Sequence, residues 1–392
     1  MQVYSPNNKK VNPMFIATDA EEADIGKKRS DRILLAIVVM LMMVGLLAVY
    51  SSIAYFAETK QTSAGNLMIG HIFKMGIAFV VMLLASKIDY HTLLRFSKPL
   101  LLVSWILLLG VILFGTSSFG AKRWISIAGF SFQPSSLATF SLILYVTAMV
   151  ESKQEYIHDF KKAFLPIMTW ILVTCALIGK EDFSSAALLL SITLLILFIG
   201  RIKLMHLSGL IGLGILGGIV LIGQNPERQK RIDNYVDQVI HIKSDRFALD
   251  EGYQSQQAHI AFACGSIFGV GIGKSSQRNF LPAPYNDFIF AIIGEEYGLI
   301  GAFVLMVLFT IFLLRGIVLI ARKAPDLQGT LLASSFTITV ALFGYINAGV
   351  ASGLLPVTGL PMPFVSYGGT NMLFAGLMVG VILNVSKKKD IA

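Results

Sequence analysis

The chain has 392 residues, of which 55% are hydrophobic and only 14% are charged, and its mean hydropathy is +0.71. Soluble domains keep about a quarter of their residues charged, so this composition excludes a set of soluble domains and predicts one membrane-embedded body. The net charge of +9 does not indicate nucleic-acid binding, because the lysines and arginines are concentrated in short segments between apolar runs.

Ten apolar segments are long enough to cross a bilayer as helices, since a hydrocarbon core takes roughly 20 residues. We therefore predict an all-α, polytopic protein with a polar cytoplasmic tail at 1–32 and a single ten-helix membrane domain at 33–392. A long extracytoplasmic loop, 224–287, is predicted between the seventh and eighth spans. The predicted spans are 33–57, 67–86, 99–115, 135–150, 163–179, 183–200, 204–223, 288–319, 329–351 and 367–385.

The basic residues predict the orientation of these spans. With a cytoplasmic N-terminus, the inner segments carry nineteen lysines and arginines, whereas the short outer loops carry four. Inner loops are the basic ones in bacterial membrane proteins, so both termini are expected in the cytoplasm and the 224–287 loop outside. The predicted location is therefore the bacterial inner membrane.

Two ionisable residues fall inside predicted spans. Arg315 is near a cytoplasmic end, where its long side chain can reach the interface. Lys74 is near the centre of the second span, and an ionisable group at that depth is a candidate functional group. The two cysteines, Cys175 and Cys264, are far apart in apolar surroundings and are interpreted as small hydrophobic residues.

Three outer segments are rich in polar or irregular sequence: 120–135, 224–287 and 353–370. The last one is rich in Pro and Gly and contains no Lys or Arg. Irregular backbone at membrane depth occurs only against protein or a water-filled cavity. The three segments together predict a polar vestibule at the outer side of the helix bundle.

The long loop contains two patterns of its own. Residues 227–241 predict an amphipathic helix at the membrane interface. Glycines follow at every second position, at Gly269, Gly271 and Gly273, without the spacing of a Walker loop or a dinucleotide-binding fingerprint. Two interpretations stay open for these glycines: a backbone that offers N–H groups to a phosphate, or a plain turn.

An acidic group precedes the eighth span. Asp287 is either the N-cap of that helix or a functional carboxylate, and local sequence favours neither. Glu295 and Glu296 follow about two helical turns later, displaced from Asp287 by about 80° and about 180° around the helix. We therefore expect Glu295 to accompany Asp287, and Glu296 to pair with another helix.

Five motifs occur in the order and spacing of the SEDS family (shape, elongation, division and sporulation), and the resemblance covers nearly the whole chain. The TGLP form of the last motif is more similar to the division branch of the family than to the elongation branch. The motifs are GAKRWISIAGFSFQPS, KEDFSSA, GVGIGKSSQ, PYNDFIFAIIGEEYGLIG and GLLPVTGLPMPFVSYGGT.

This resemblance implies a peptidoglycan glycosyltransferase that polymerises lipid II at the outer face of the cytoplasmic membrane. Its implied setting is the division septum, with a class B penicillin-binding protein transpeptidase and other division membrane proteins as partners. The essential acid of the family falls on Asp287. Other recurring motif positions fall on Arg123, Trp124, Gln133, Pro134, Asp182, Ser366, Tyr367, Gly368 and Gly369.

The chain departs from the family pattern in two places. Many relatives have Glu-Ala-His-Thr before the acid, whereas this chain has Ala-Pro-Tyr-Asn at 283–286, which leaves Asp287 without a nearby Glu or His. Relatives also often have a Glu and a Lys where this chain has Ser136 and Thr139. Replacing both partners of a buried ion pair can be neutral, although the change puts in doubt a mechanism that needs that pair.

The implied reaction needs a base for the acceptor hydroxyl and charge stabilisation for the leaving pyrophosphate. Asp287 is the candidate base. The candidate cations are Lys122, Arg123, Arg228, Arg231 and Lys274, and the other candidate substrate contacts are Trp124, Gln133, Asp182, Gln257, Glu295, Ser366 and Tyr367.

The sequence also bears on a metal cofactor and on alternative functions. A divalent cation, Mg²⁺ or Mn²⁺, is compatible with this chemistry, but the sequence shows no compact group of metal ligands. A lipid II transporter, the elongation member of the same family and a non-catalytic scaffold stay open as alternatives to the glycosyltransferase.

Overall fold

The structure is a computed structural model and describes residues 30–59, 63–118, 121–127, 130–240, 251–281 and 284–388. Nine helices in these ranges are long and apolar enough to cross a membrane, and a shorter apolar helix of 17 residues supplies a tenth span. The predicted ten-helix membrane protein is therefore confirmed. The spans are α1 (Arg32–Thr59), α2 (Ala64–Ala85), α4 (Ser97–Phe114), α5 (Pro134–Ser152), α6 (Leu165–Gly179), α7 (Phe183–Ile199), α8 (Leu204–Gly223), α11 (Ile289–Leu314), α12 (Leu327–Ala351) and α13 (Thr370–Lys388).

Eight of the ten spans form four closely packed pairs. Helix α2 packs against α13, α4 against α5, α6 against α7, and α11 against α12. Helices α5, α12 and α13 bury most of their surface and form the centre of the bundle, whereas α2 and α8 leave most of theirs to the surroundings. The short helix α3 (Tyr90–Arg95) connects α2 to α4.

The long loop between α8 and α11 is partly helical. It contains α9 (Pro226–Ile240) and α10 (Glu251–Gly265). Helix α9 matches the amphipathic helix predicted at 227–241. Helix α10 packs along α11, so the loop returns to the bundle instead of lying free of it.

A small antiparallel sheet is the exception to the all-α prediction. Its strands are β1 (Thr116–Ser118), β2 (Ala121–Ile127) and β3 (Phe130–Phe132), in the order β1-β2-β3. Trp124 pairs with Thr116, and Ile125 pairs with Phe132. The aromatic and β-branched residues of AKRWISI favour a strand, but the segment is too short to appear in a search for membrane-length apolar runs.

The eighth span is broken near its first third. Gly298 has φ +69° and ψ −168°, which interrupts α11. The backbone N–H groups of Val270 and Gly271 donate to the carbonyl oxygens of Glu295 and Glu296, both at 3.0 Å. A backbone break inside a membrane needs such substitute partners. These two N–H groups therefore stabilise the helix break and are not available to a phosphate.

The segment between α12 and α13 is a re-entrant loop, residues 352–369. A Cβ atom at Gly45, midway along α1, would overlap the carbonyl oxygen of Phe364, so the loop crosses α1 in contact with its backbone. Gly369 lies against the aliphatic chain of Lys74, midway along α2. Helix α13 consequently begins at Thr370, three residues after its predicted start and well inside the bundle. The prediction that the segment 353–370 has an irregular backbone packed against protein is therefore confirmed.

The two ends of the bundle differ in construction. At the end where α1 begins, which we call the basic end, Arg315 Nε binds the buried carboxylate of Asp31 at 2.8 Å. The Tyr90 hydroxyl donates to Asp326 at 2.7 Å at the same end. The partly exposed Arg315 side chain thus extends to a carboxylate that directly precedes α1 at this end. The opposite end, which carries the sheet, α9, α10 and the re-entrant loop, is called the loop end.

Candidate functional site

Asp287 lies at the loop end, in the turn that precedes α11. The first helical residue is Ile289 and the N-cap is Phe288, without a side-chain cap. The N-cap interpretation of Asp287 is therefore wrong, because the acid lies one residue too early. Its backbone carbonyl oxygen accepts a hydrogen bond of 3.0 Å from Asn347 Nδ2, and the same amide donates to the carbonyl oxygen of Leu360 at 2.9 Å.

The two residues before the acid are held in the same way. The Ser366 hydroxyl donates to the carbonyl oxygen of Asn286 at 2.7 Å and accepts from the backbone N–H of Met362 at 2.9 Å. The backbone N–H of Tyr367 donates to the carbonyl oxygen of Tyr285 at 2.8 Å. Three consecutive carbonyl groups thus fix the segment 285–287 against α12 and the re-entrant loop. The structure brings Asp287, Ser366 and Tyr367 together, as the sequence predicted.

Two aromatic rings meet beside this segment. The rings of Tyr285 and Tyr367 meet edge to face, with centroids 5.6 Å apart. Burial first, and then the charges of Asp287 and Tyr367, raise the pKa of Tyr285, which lies in the loop, to about 12. Tyr285 is therefore a neutral hydroxyl at physiological pH, and the Asp287 charge acts on it through poorly hydrated space.

A cavity that is partly open to solvent includes the re-entrant residues 359–361 in its wall. Leu360 in that wall accepts a hydrogen bond from the same Asn347 amide that donates to the backbone of Asp287. Gln133 Nε2 donates to Asp182 Oδ2 at 3.4 Å. Asp182 caps α7 by accepting from the backbone N–H of Ser185 at 3.2 Å, and it also accepts from the Ser185 hydroxyl at 2.7 Å. The polar side chains of the lining are Gln133, Ser135, Ser136, Thr139, Asp182, Ser185, Thr339 and Asn371.

This lining suits sugar hydroxyl groups. It offers neutral donors and acceptors together with the Phe343 and Phe374 rings, and Asp182 is its one carboxylate among the residues that line the described cavity. Ser136 and Thr139, which replace a Glu and a Lys of many relatives, both face this space. The departure from the family pattern is therefore located inside the cavity and makes its wall less charged.

The two glutamates of α11 hold the loop. Glu295 is 1% exposed and accepts from the hydroxyl of Ser275 and from the backbone N–H of Ser276 at 2.9 Å. Glu296 accepts from the Ser51 hydroxyl of α1. The expectation that Glu296 pairs with another helix is confirmed. Glu295 directs both oxygens at the turn 275–277, which gives it a structural role in place of the expected pairing with Asp287.

The predicted cations occupy several different surroundings. Arg228 donates to the carbonyl oxygens of Leu221 and Lys180, at 3.1 and 2.7 Å, and so connects α9 to the neighbouring spans. Lys274 is exposed beside the 275–277 turn. The side chains of Lys122 and Arg123, both on β2, are outside the described part of the structure. Arg231 on α9, Gln257 on α10 and Trp124 on β2 are half-buried at the loop end.

No three His, Cys, Asp or Glu side chains converge on one point within the described ranges. The donor set of the candidate site consists of isolated carboxylates, hydroxyls and amides. We therefore derive no step of the chemistry through a divalent cation.

Sequence reasoning missed two residues of the site. Asn347 connects Asp287 to the re-entrant loop, and the Tyr285 ring contacts that of Tyr367. A buried amide in the otherwise apolar sequence of α12 was a usable signal, because a polar residue in a membrane span faces the protein interior. Tyr285 gave no comparable signal, since a tyrosine in a loop is common.

Comparison with known proteins places the chain in a family. A family model described as "Cell cycle protein", which covers FtsW, RodA and SpoVE, matches residues 31–391. Stage V sporulation protein E of Bacillus subtilis is 34% identical over 372 residues, covering 92% of this chain and 98% of that protein. A probable peptidoglycan glycosyltransferase FtsW of Geobacter is 34% identical over 363 residues, covering 91% and 97%.

Solved structures share the fold. A chain from a peptidoglycan synthase complex that coordinates polymerisation and crosslinking superimposes with a TM-score of 0.72 at 23% identity, covering 93% of this chain and 99% of that chain. The rod shape determining protein RodA of Thermus thermophilus gives a TM-score of 0.66 at 22% identity, covering 93% and 98%. With its ten spans, its five motifs in register and a family match over nearly its full length, this chain belongs to the FtsW/RodA/SpoVE family, the SEDS family of cell cycle proteins.

Proposed function

We propose that this protein is a peptidoglycan glycosyltransferase that polymerises lipid II into β-1,4-linked glycan strands. The observation that carries the proposal is the segment 285–287 at the loop end, which contains Asp287 and is held in place by hydrogen bonds to its three consecutive backbone carbonyl oxygens. Relatives that are about one third identical over most of the chain are named peptidoglycan glycosyltransferases.

The proposed reaction is a single displacement with inversion. The bond between the anomeric carbon of the donor sugar and its pyrophosphate breaks, and the departing oxygen keeps the electron pair. The 4-hydroxyl oxygen of the acceptor sugar forms the new bond, and its proton passes to the carboxylate of Asp287. Because the donor is α-linked, displacement from the opposite face gives the β product.

We place the loop end on the outer side of the bacterial inner membrane, with both termini in the cytoplasm, as the distribution of basic residues indicates. The septum is the proposed site of action, since relatives that are about one third identical carry the FtsW name. A class B penicillin-binding protein is the proposed partner, because a chain of the same fold comes from a peptidoglycan synthase complex that also performs crosslinking.

The test uses purified protein in nanodiscs with its class B penicillin-binding partner and labelled lipid II. Asp287→Asn keeps the shape of the side chain and removes the base, so we expect polymer formation to fall by at least about a hundredfold. Asp233→Asn is the matched control, because Asp233 is exposed on α9 at the same end. This control variant should polymerise at the wild-type rate.

Two outcomes would contradict the proposal. Undiminished polymerisation by a folded Asp287→Asn variant would remove Asp287 from the catalytic role. Movement of lipid II across the membrane of proteoliposomes, without any polymer, would assign the protein to transport instead. Both variants are checked for an unchanged elution volume and for partner binding, so that a loss of activity reports on chemistry.

A further inference from the structure

Lys74 is a charged residue in the interior of the membrane domain that the proposed reaction has not yet used. It lies midway along α2, about 15 Å along the axis from the start of that helix. Its Nζ atom is 3.5 Å from the Tyr367 hydroxyl and 4.9 Å from the centroid of the Tyr367 ring. The aliphatic part of the side chain lies against Gly369. The ammonium group is thus directed at the re-entrant loop that anchors the acid segment.

The ammonium group has no carboxylate partner in the described part of the chain. Its contacts there are the hydroxyl and the ring of Tyr367. A cation inside a membrane is costly unless an anion or several strong acceptors compensate it. One phenol does not supply that compensation, so the surroundings of Lys74 are suited to an additional anion.

His71 gives a second and independent sign of a missing ligand. It lies one turn before Lys74 on the same face of α2, is 0% exposed, and stacks on Tyr367 with ring centroids 5.3 Å apart. Neither ring nitrogen has a hydrogen-bond partner among the residues that the structure describes. An imidazole always carries at least one N–H donor, and a buried donor without a partner is expensive. The group next to Lys74 is therefore ready to donate to a ligand.

Two arginines near the loop end already have protein acceptors. Arg228 donates to two backbone carbonyl oxygens, and Arg278 donates to the carbonyl oxygen of Ser51 at 2.9 Å. Lys74, in contrast, is connected to the acid segment through one residue, because Tyr367 also donates its backbone N–H to Tyr285. An anion held at Lys74 would lie next to the segment that carries Asp287.

We propose that Lys74, together with Tyr367 and His71, forms the site that binds the pyrophosphate of the polyprenyl-linked donor. The identity of this ligand rests on the proposed function. The three side chains offer an ammonium, a phenol hydroxyl and an imidazole N–H, which are all donors to phosphate oxygens. When the anomeric carbon–oxygen bond breaks, negative charge develops on the leaving pyrophosphate, and the Lys74 ammonium stabilises it. The exposed apolar residues Ile69, Ile72 and Phe73 of α2 lie beside the site and can contact the polyprenyl chain.

The test measures lipid binding, which does not require polymerisation. Wild-type protein, Lys74→Met and Lys74→Gln are placed in nanodiscs, and retention of labelled undecaprenyl pyrophosphate is compared with retention of neutral undecaprenol. We expect both variants to bind the pyrophosphate about ten- to a hundredfold more weakly, as the loss of a charge-assisted contact predicts. Binding of the neutral lipid should not change. Lys98→Met is the matched control, because Lys98 also lies over an aromatic ring, that of Trp170, at 6.0 Å, but at the basic end.

Each possible result of the lipid-binding test either supports or overturns the proposed anion site. Wild-type affinity for the pyrophosphate in a folded Lys74 variant would overturn it, and so would an equal loss of both lipids, which would indicate packing. Failure of both neutral variants to fold would give Lys74 a structural role and would also overturn it. Selective loss of pyrophosphate binding supports the site even where wild-type protein makes no polymer. That last case would contradict the proposed glycosyltransferase activity but support the proposed anion site. The failure of one proposal can therefore be distinguished from the failure of the other.

Discussion

Asn347 connects the two loops of the candidate site through one amide group. Its Nδ2 atom donates both to the carbonyl oxygen of Asp287 and to that of Leu360. Replacement by leucine keeps the volume and removes both hydrogen bonds, leaving two carbonyl groups without this donor. A buried polar group that loses its partner costs about 1–3 kcal/mol. We expect Asn347→Leu to lower the unfolding temperature and to reduce polymerisation at least about tenfold, since the acid segment loses its fixed position.

Asn384→Leu is the matched control for this change. Asn384 is a buried amide that also makes two hydrogen bonds to backbone, to Ser86 at 3.0 Å and from Tyr90 at 3.3 Å, but at the basic end. Both variants should lose similar stability in a thermal unfolding assay. Only Asn347→Leu should lose activity per folded molecule, and equal activities of the two variants would contradict a positioning role for Asn347.

At the residue scale, the sequence could identify Asp287 as the candidate acid but could not predict which residues anchor its segment. Asp287 is visible as a carboxylate before an apolar run, within a recognisable motif. Its anchors are remote in sequence: Asn347 is 60 residues away, and Ser366 is 80 residues from Asn286. Lys74 and Tyr367 are separated by 293 residues. Such contacts depend on how the helices pack, and no local periodicity encodes them.

Helix α11 is an element in which a continuous apolar run contains a backbone break. Gly298 has a positive φ, and a Cβ atom there would overlap the carbonyl oxygen of Ile267. We expect Gly298→Ala to lower the unfolding free energy through both the unfavourable φ and the overlap. Gly273→Ala is the control for the first cause, because Gly273 has φ +74° with nothing within 4 Å of an added Cβ.

The difference in unfolding free energy between these two variants reports on the contact between the glycine run and α11. Gly298→Ala should be less stable than Gly273→Ala by about 1–3 kcal/mol, the usual cost of overpacking. Thermal unfolding of both variants under the same detergent conditions gives the order. Equal unfolding temperatures would show that the approach of the 266–271 backbone to α11 is not needed for stability.

At the element scale, hydropathy predicts the number and approximate limits of the spans because burial in lipid requires about the same length from every helix. The same criterion ignores whatever happens within or between spans. It therefore missed the break at Gly298, the strand pairing of Trp124 with Thr116, and the delayed start of α13. In each case the deciding interactions are backbone hydrogen bonds or close packing with another segment.

The whole molecule uses different interactions at its two ends. Side-chain ion pairs and hydrogen bonds connect the spans at the basic end, as Arg315 with Asp31 and Lys388 with Asp89 at 2.7 Å. Backbone carbonyl groups and a re-entrant loop organise the loop end, next to the cavity. This arrangement suits a rigid base that supports a site open to a lipid-linked substrate.

The proposed mechanism requires that the loop end face the outside, and this orientation is open to a direct test. A cysteine-free background is made by replacing Cys175 and Cys264 with serine. Single cysteines are then introduced at the two ends of α8, as Lys203→Cys before the helix and Lys230→Cys on α9, because both lysines are exposed. In intact spheroplasts, a membrane-impermeant maleimide should label Lys230→Cys and leave Lys203→Cys unlabelled. Lys203→Cys should react once the membrane is permeabilised. The reverse pattern would place Asp287 in the cytoplasm and would contradict polymerisation at the outer face.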